Sequence, residues 1–168
     1  ACYFFDQMQE CDLVAWTTMI SVHAQHGQPQ KSFALFQQMQ QEGLIPDIVT
    51  IIGIVCACST SDMLFIGKKV HACILDSLYS SDTVLGNALV NMYSKCGSMQ
   101  DTCIAFERVL NRDVISWNAF VASHCRHGYG DLVLQVLKKM EEDGVKPDDV
   151  TFLCLLSACS HAGRPQEG

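Results

Sequence analysis

Five aspartates punctuate the chain. Asp12, Asp47, Asp82, Asp113 and Asp148 are spaced by 35, 35, 31 and 35 residues. A carboxylate offers acceptors only. In such a pattern its first chemistry is to cap a helix that begins just after it, where backbone N–H groups lack partners. Histidines recur in the same phase: His23 and His26 lead into Gly27, and His124 and His127 lead into Gly128. Residues at i and i+3 share a helix face, so each pair has the spacing of half a metal site. No third ligand has recognisable spacing, and both pairs hold the same place in matching stretches, as architectural positions would. The expectation is therefore no metal. Ten cysteines are present, with no C-x-x-C and no H-x-E string, so zinc-ribbon and zinc-deaminase spacings are missing. Several lie in apolar runs such as Ile51–Cys58 and Val150–Cys159. There a free thiol acts as a small buried hydrophobe, and the compartment is expected to be reducing. No catalytic triad, phosphate loop or paired carboxylate is recognisable. The chain reads as non-enzymatic, with no cofactor and no small-molecule substrate.

The 168 residues carry a net charge of −7 and are 49% hydrophobic. That apolar fraction excludes intrinsic disorder. No apolar run approaches the ~18–20 residues of a membrane span, so no membrane partner is expected. The balance of 11 basic against 18 acidic side chains weighs against a nucleic-acid partner. Five of the acidic residues are the recurring aspartates; without them the balance is 11 against 13. What remains is an expectation of weak non-specific phosphate binding. The chain starts at Ala1 and ends at Gly168 after a helix-start signal. It reads as an excerpt of a longer protein, with any targeting segment elsewhere.

These residues are set by an internal repeat. Leu13–Asp47 and Val114–Asp148 align without gaps at an offset of 101 residues. They share Trp16 with Trp117, the histidine strings, Met39 with Met140, and the endings Gly43 to Asp47 and Gly144 to Asp148. Smaller units are closed by the aspartates, with Val14, Val49, Val84, Ile115 and Val150 at their second places. A period of 31–36 residues is that of a helical repeat. Each unit reads as two helices, the first as in Val14–Gln25. It ends at a glycine (Gly27, Gly97, Gly128 or Gly163), with Asp62 in that place in the second unit. Pro29 and Pro165 suit the first turn of the second helix. Pro46 and Pro147 stop it after Gly43 and Gly144. One helix pair cannot bury its apolar face alone, so the expected fold is all-α, a right-handed α-solenoid of helix-turn-helix repeats. Trp16 and Trp117 are expected in the core. Lys68–Lys69 and Lys138–Lys139 read as solvated helix faces, and Lys31, Lys95 and Arg126 as candidates to line a groove.

The strings resemble the pentatricopeptide repeat (PPR) proteins of plant organelles, in the class that alternates P, L and S units. Residues 13–47 look like a P unit, 48–82 an L unit with Ile66 to Ala72, and 83–113 an S unit with Gly86 to Gly97. Residues 114–148 look like a second P unit, 149–168 a partial L unit, and 1–12 the tail of an S unit. The tetratricopeptide repeat shares the period but not this residue pattern or the unequal lengths.

The resemblance implies single-stranded organellar RNA as partner, in mitochondrion or chloroplast, with one base read per unit. The deaminase-like extension of many such proteins is missing here. Organellar C-to-U editing or other RNA processing is implied, with editing-complex or other organellar proteins as further partners. The fifth and last residues of each unit would choose the base. The pairs are Thr17 with Asp47, Asn87 with Asp113 and Asn118 with Asp148, and, as weaker readers, Ile52 with Asp82, Asp12 and Leu153. Asn would favour pyrimidines and Thr purines, which gives 5′-G-N-U-U-3′. Val14, Val49, Val84, Ile115 and Val150 would sandwich bases. For those five, ordinary core packing is the competing reading; for the aspartates it is capping alone. For the chain, it is a helical-repeat scaffold in a large organellar assembly.

Overall fold

The computed structural model describes residues 12–75 and 77–162. Residues 1–11 of the S-unit tail, Gly163 and Pro165 lie outside them. The described residues fall in two compact units that divide after Ser80.

The first unit holds α1 (Leu13–Gln25), α2 (Pro29–Gln41), α3 (Ile48–Ala57), a 3-10 turn (Ser61–Met63) and α4 (Leu64–Leu75). Helix α1 starts one residue earlier than the apolar phasing predicts, directly after Asp12. It ends in a Schellman turn: Gln28 N–H donates to His23 C=O and Gly27 N–H to Ala24 C=O. Gly27 takes φ +67°, where a Cβ is strained. Pro29 is the first residue of α2, where its missing N–H leaves nothing unpaired. Trp16, Ile20, Phe36, Met39, Ile54 and Val55 form the core. Each such burial stabilises by about 1.5–3 kcal/mol. The second turn differs because Asp62 replaces glycine: the chain bends through the 3-10 turn without a positive φ.

The second unit holds α5 (Thr83–Lys95), α6 (Met99–Arg108), α7 (Val114–Arg126), α8 (Gly130–Glu142) and α9 (Asp149–Ala162). Its core is aromatic. Phe106 meets Trp117 edge-on at 4.9 Å and stacks on Phe120 at 4.0 Å. Arg112 lies over Phe106, donates to the C=O of Phe106 and Glu107 at the end of α6, and pairs with Asp143. The two tryptophans are buried as expected. The thiols divide. Cys58 and Cys96 are buried, but Cys56 and Cys73 are exposed, which corrects the reading of the apolar runs as wholly internal. On a helix a continuous apolar run reaches every face.

At the fourth place, where the other first helices carry Trp16, Ile51, Trp117 and Phe152, the S unit has Gly86. A Cβ there would stand 2.8 Å from Val109 Cγ2. Val109 is buried at the end of α6, and its β-branched side chain is stiff. Gly86→Ala is therefore expected to destabilise the chain by about 1–3 kcal/mol despite its better helix propensity. Thermal unfolding of Gly86→Ala, Val109→Ala and the double variant checks this. The double variant should lose less than the sum of the singles.

Candidate nucleic-acid interface

All five unit-closing aspartates cap the next helix in the same way. Oδ1 accepts the third backbone N–H, from Ala15, Thr50, Leu85, Ser116 and Thr151, at 2.8–2.9 Å. Among the described residues Oδ2 makes no hydrogen bond. Capping therefore uses one carboxylate oxygen and leaves the other. The Ser116 N–H, ahead of the Ser116 hydroxyl, holds the Asp113 carboxyl below the usual range. Asp148 is lowered likewise, first by the Thr151 N–H and then by the Asn118 amide. Both are ionised at neutral pH.

The paired residues of residues 114–148 meet. Asn118 Nδ2 donates to Asp148 Oδ1 at 2.9 Å across 30 positions of sequence. Thr151 joins them, its Oγ1 lying 2.5 Å from Asn118 Oδ1 and 3.0 Å from Asp148 Oδ1. Thr17 and Asp47 do not bond each other directly. Thr50 Oγ1 links them, at 2.6 Å from Thr17 Oγ1 and 2.7 Å from Asp47 Oδ1. Thr50 has one proton and the carboxylate has none, so Thr17 donates to Thr50. Asn87 is not brought into such a link. Ser116 Oγ bonds Asp113 at 2.9 Å, and Asn87 Oδ1 is buried with no hydrogen bond. Ile52 and Leu153 have nothing polar to offer.

The second-place residues are not core. Val14, Val49, Val84, Ile115 and Val150 are 51–70% exposed at the starts of their helices. Ile115 and Asn118, at i and i+3, share a helix face. Val49 and Ile52 line an open groove of about 360 Å³ against Ser21, Ala24 and Gln25 of α1. Val150 and Leu153 line its counterpart of about 530 Å³ against Ala122, Cys125 and Arg126 of α7.

The histidine pairs have separate local tasks. His23 bonds Gln28, and His26 bonds its own Val22 C=O. Burial lowers His124, which bonds Phe120 C=O, while His127 reaches Ser94 C=O on α5. Among the described residues no group of three His, Cys, Asp or Glu is placed to hold a metal. Lys31 and Lys95 are exposed, Arg126 donates to Ser94 Oγ, and Lys69 sits over the Phe65 ring. Sequence reasoning missed the third-place hydroxyls Thr50, Ser116 and Thr151. Their only signal was their recurrence three residues after the aspartates.

Three comparisons bear on this arrangement. The profile of the PPR repeat family matches residues 11–60 and 112–161. A pentatricopeptide repeat-containing protein of Arabidopsis thaliana is 38% identical over 164 residues, covering 98% of this chain and 23% of its own length. A chloroplastic one is 40% identical (97% of this chain, 18% of its own), and a mitochondrial one 37% (97% and 26%). The chain thus spans about a quarter or less of these relatives. The crystal structure of the pentatricopeptide repeat protein PPR10 in complex with an 18-nt psaJ RNA element matches 90% of this chain and 23% of its own. Its TM-score is 0.76 at 23% identity, a likeness of fold: all-α helix-turn-helix repeats of the α-solenoid class.

The cap itself is testable. Asp113→Ala is expected to cost about 1 kcal/mol and Asp113→Asn much less, since Asn also caps. The lowered carboxyl contributes stability above its unfolded pKa near ~3.9, lost as pH falls through the lower folded value. Thermal melts from pH 7 to pH 2 should show a smaller acid loss in Asp113→Ala than in wild type.

Proposed function

The chain belongs to the PPR repeat family, and on that premise we propose that it binds single-stranded RNA and reads one base per repeat through the place-five and unit-closing side chains. One observation carries the reading: Asn118 and Asp148 are hydrogen-bonded at 2.9 Å, with one carboxylate oxygen and one amide proton uncommitted. A free acceptor beside a free donor complements uracil, whose N3–H donates and whose carbonyls accept. At Thr17 and Asp47 both outward groups are acceptors, because the Thr17 proton turns inward to Thr50. Two acceptors complement guanine, which presents N1–H and N2–H₂ together. Ile52 leaves its unit without polar readout, so the preferred RNA is 5′-G-N-U-U-3′. The exposed Val14, Val49, Val84, Ile115 and Val150 are the apolar surfaces against which bases lie.

Unit lengths of 35, 35, 31 and 35 support the alternating P, L and S class. With chloroplastic and mitochondrial relatives, they support an organellar transcript as target, positioned for C-to-U editing or other processing. In this role the chain positions RNA, and catalysis belongs to another domain or protein. The charge of −7 favours a second reading, a scaffold that binds protein. Fluorescence anisotropy with a short RNA carrying G-N-U-U and a scrambled control, at fixed low salt, separates the two. The matched RNA should bind at least about five-fold more tightly, each good base contact being worth about 1–3 kcal/mol. Asp148→Asn should move the fourth base from U toward C, whose N3 accepts where that of uracil donates. Equal affinity for matched and scrambled RNA sinks the reading.

A further inference from the structure

We propose that the third residue of the following repeat, Thr50 for Thr17 and Thr151 for Asn118, is a specificity-determining positioning residue. Its hydroxyl fixes which hydrogen-bonding group the place-five side chain turns toward the base. The inference rests on the base-reading function proposed above.

Thr50 and Thr151 are fully buried, so neither can touch RNA itself. Each lies between the two members of a reading pair and acts through them. Thr151 donates its single proton to Asn118 Oδ1 at 2.5 Å, while Asn118 Nδ2 is held on Asp148 at 2.9 Å. The amide is gripped at both ends, which leaves one N–H to donate and turns Oδ1 toward Thr151. With Oδ1 occupied, Asn118 has little to offer a base that presents a donor, such as the N4–H₂ of cytosine. Thr50 imposes the opposite sense on its partner. Its proton goes to Asp47 at 2.7 Å, so its oxygen must accept from Thr17 at 2.6 Å. Thr17 then shows lone pairs only. Without Thr50, its hydroxyl could turn outward and donate to an adenine N1.

The sequence column agrees along the chain. Polar Thr17, Asn87 and Asn118 are followed by Thr50, Ser116 and Thr151, and apolar Ile52 is followed by apolar Leu85. Asn87 is a built-in contrast. Ser116 Oγ bonds Asp113 and Asn87 Oδ1 has no partner, so that amide lacks the hydroxyl's grip. The third base should therefore be read less sharply than the fourth.

The test uses the full 168-residue chain and RNAs that vary one base at a time within G-N-U-U. Thr→Val keeps the β-branched shape and removes only the hydroxyl; Thr→Ser restores it. Thr151→Val should cut the U-over-C affinity ratio at the fourth base at least about five-fold, leaving the G-over-A ratio at the first base unchanged. Thr50→Val should do the reverse, and Thr151→Ser and Thr50→Ser should recover the wild-type ratios. Each variant's untouched base reports that the chain is folded. Wild-type ratios retained in both Val variants overturn the inference and leave base reading standing. Loss at both bases in either variant marks a general packing role and also overturns it. A wild-type chain with no base preference overturns base reading and this inference together.

Discussion

One hydrogen bond per repeat sets the rest of the structure. The unit-closing aspartate accepts the third backbone N–H of the next helix. This bond fixes the residue at which the helix starts, and a helix turns by a constant angle per residue. Its start therefore dictates where every later side chain points. Place two is left in solvent, place three falls behind the carboxylate, and place four takes Trp16, Ile51 and Trp117 into the core. Place five comes round beside place two, as with Ile115 and Asn118. A bond of modest worth thus controls the phase of an entire repeat, and a shift of one residue would misdirect all four positions.

Much of this was legible in the chain because the governing signals are local. Asp before an apolar run, Gly27 in the left-handed region and Pro29 at the first helical position each act within one turn. The burial of Trp16 and Trp117 followed from their register. The less legible features all depend on a second helix. Nothing in the type of Val14 or Ile115 distinguishes an exposed apolar residue from a buried one; only the neighbouring helix decides which face is covered. Cys56 and Cys58 stand two residues apart in one apolar run, yet the first is exposed and the second buried. Thr151 looks like an ordinary first-turn residue until its hydroxyl is seen against Asn118, 33 positions away. His26 and His127 occupy equivalent places and still bond differently, one within its own helix and one to Ser94.

The acidity of the chain also takes on a different meaning. In the role proposed above, a site that recognises bases rather than phosphates has no need of a basic surface. At Asp113 and Asp148 the N–H groups of the helix start favour the charged form. The same amides therefore stabilise the fold and hold these two carboxylates as acceptors. In the proposed role, carboxylates repel a polyanion, so affinity comes from apolar contact and base hydrogen bonds.

Gly86 limits how far the helices of the short unit can be exchanged one at a time. Where other first helices present a large side chain, the short unit presents none, and the stiff Val109 fills the space. A designer who grafted only the first helix of a 35-residue P unit over Thr83–Lys95 would bring a tryptophan against Val109, at a seam built for a hydrogen atom. Gly86 and Val109 are one adjustment, and they would have to be exchanged as a pair. The joint between the two helices of this unit is custom-fitted.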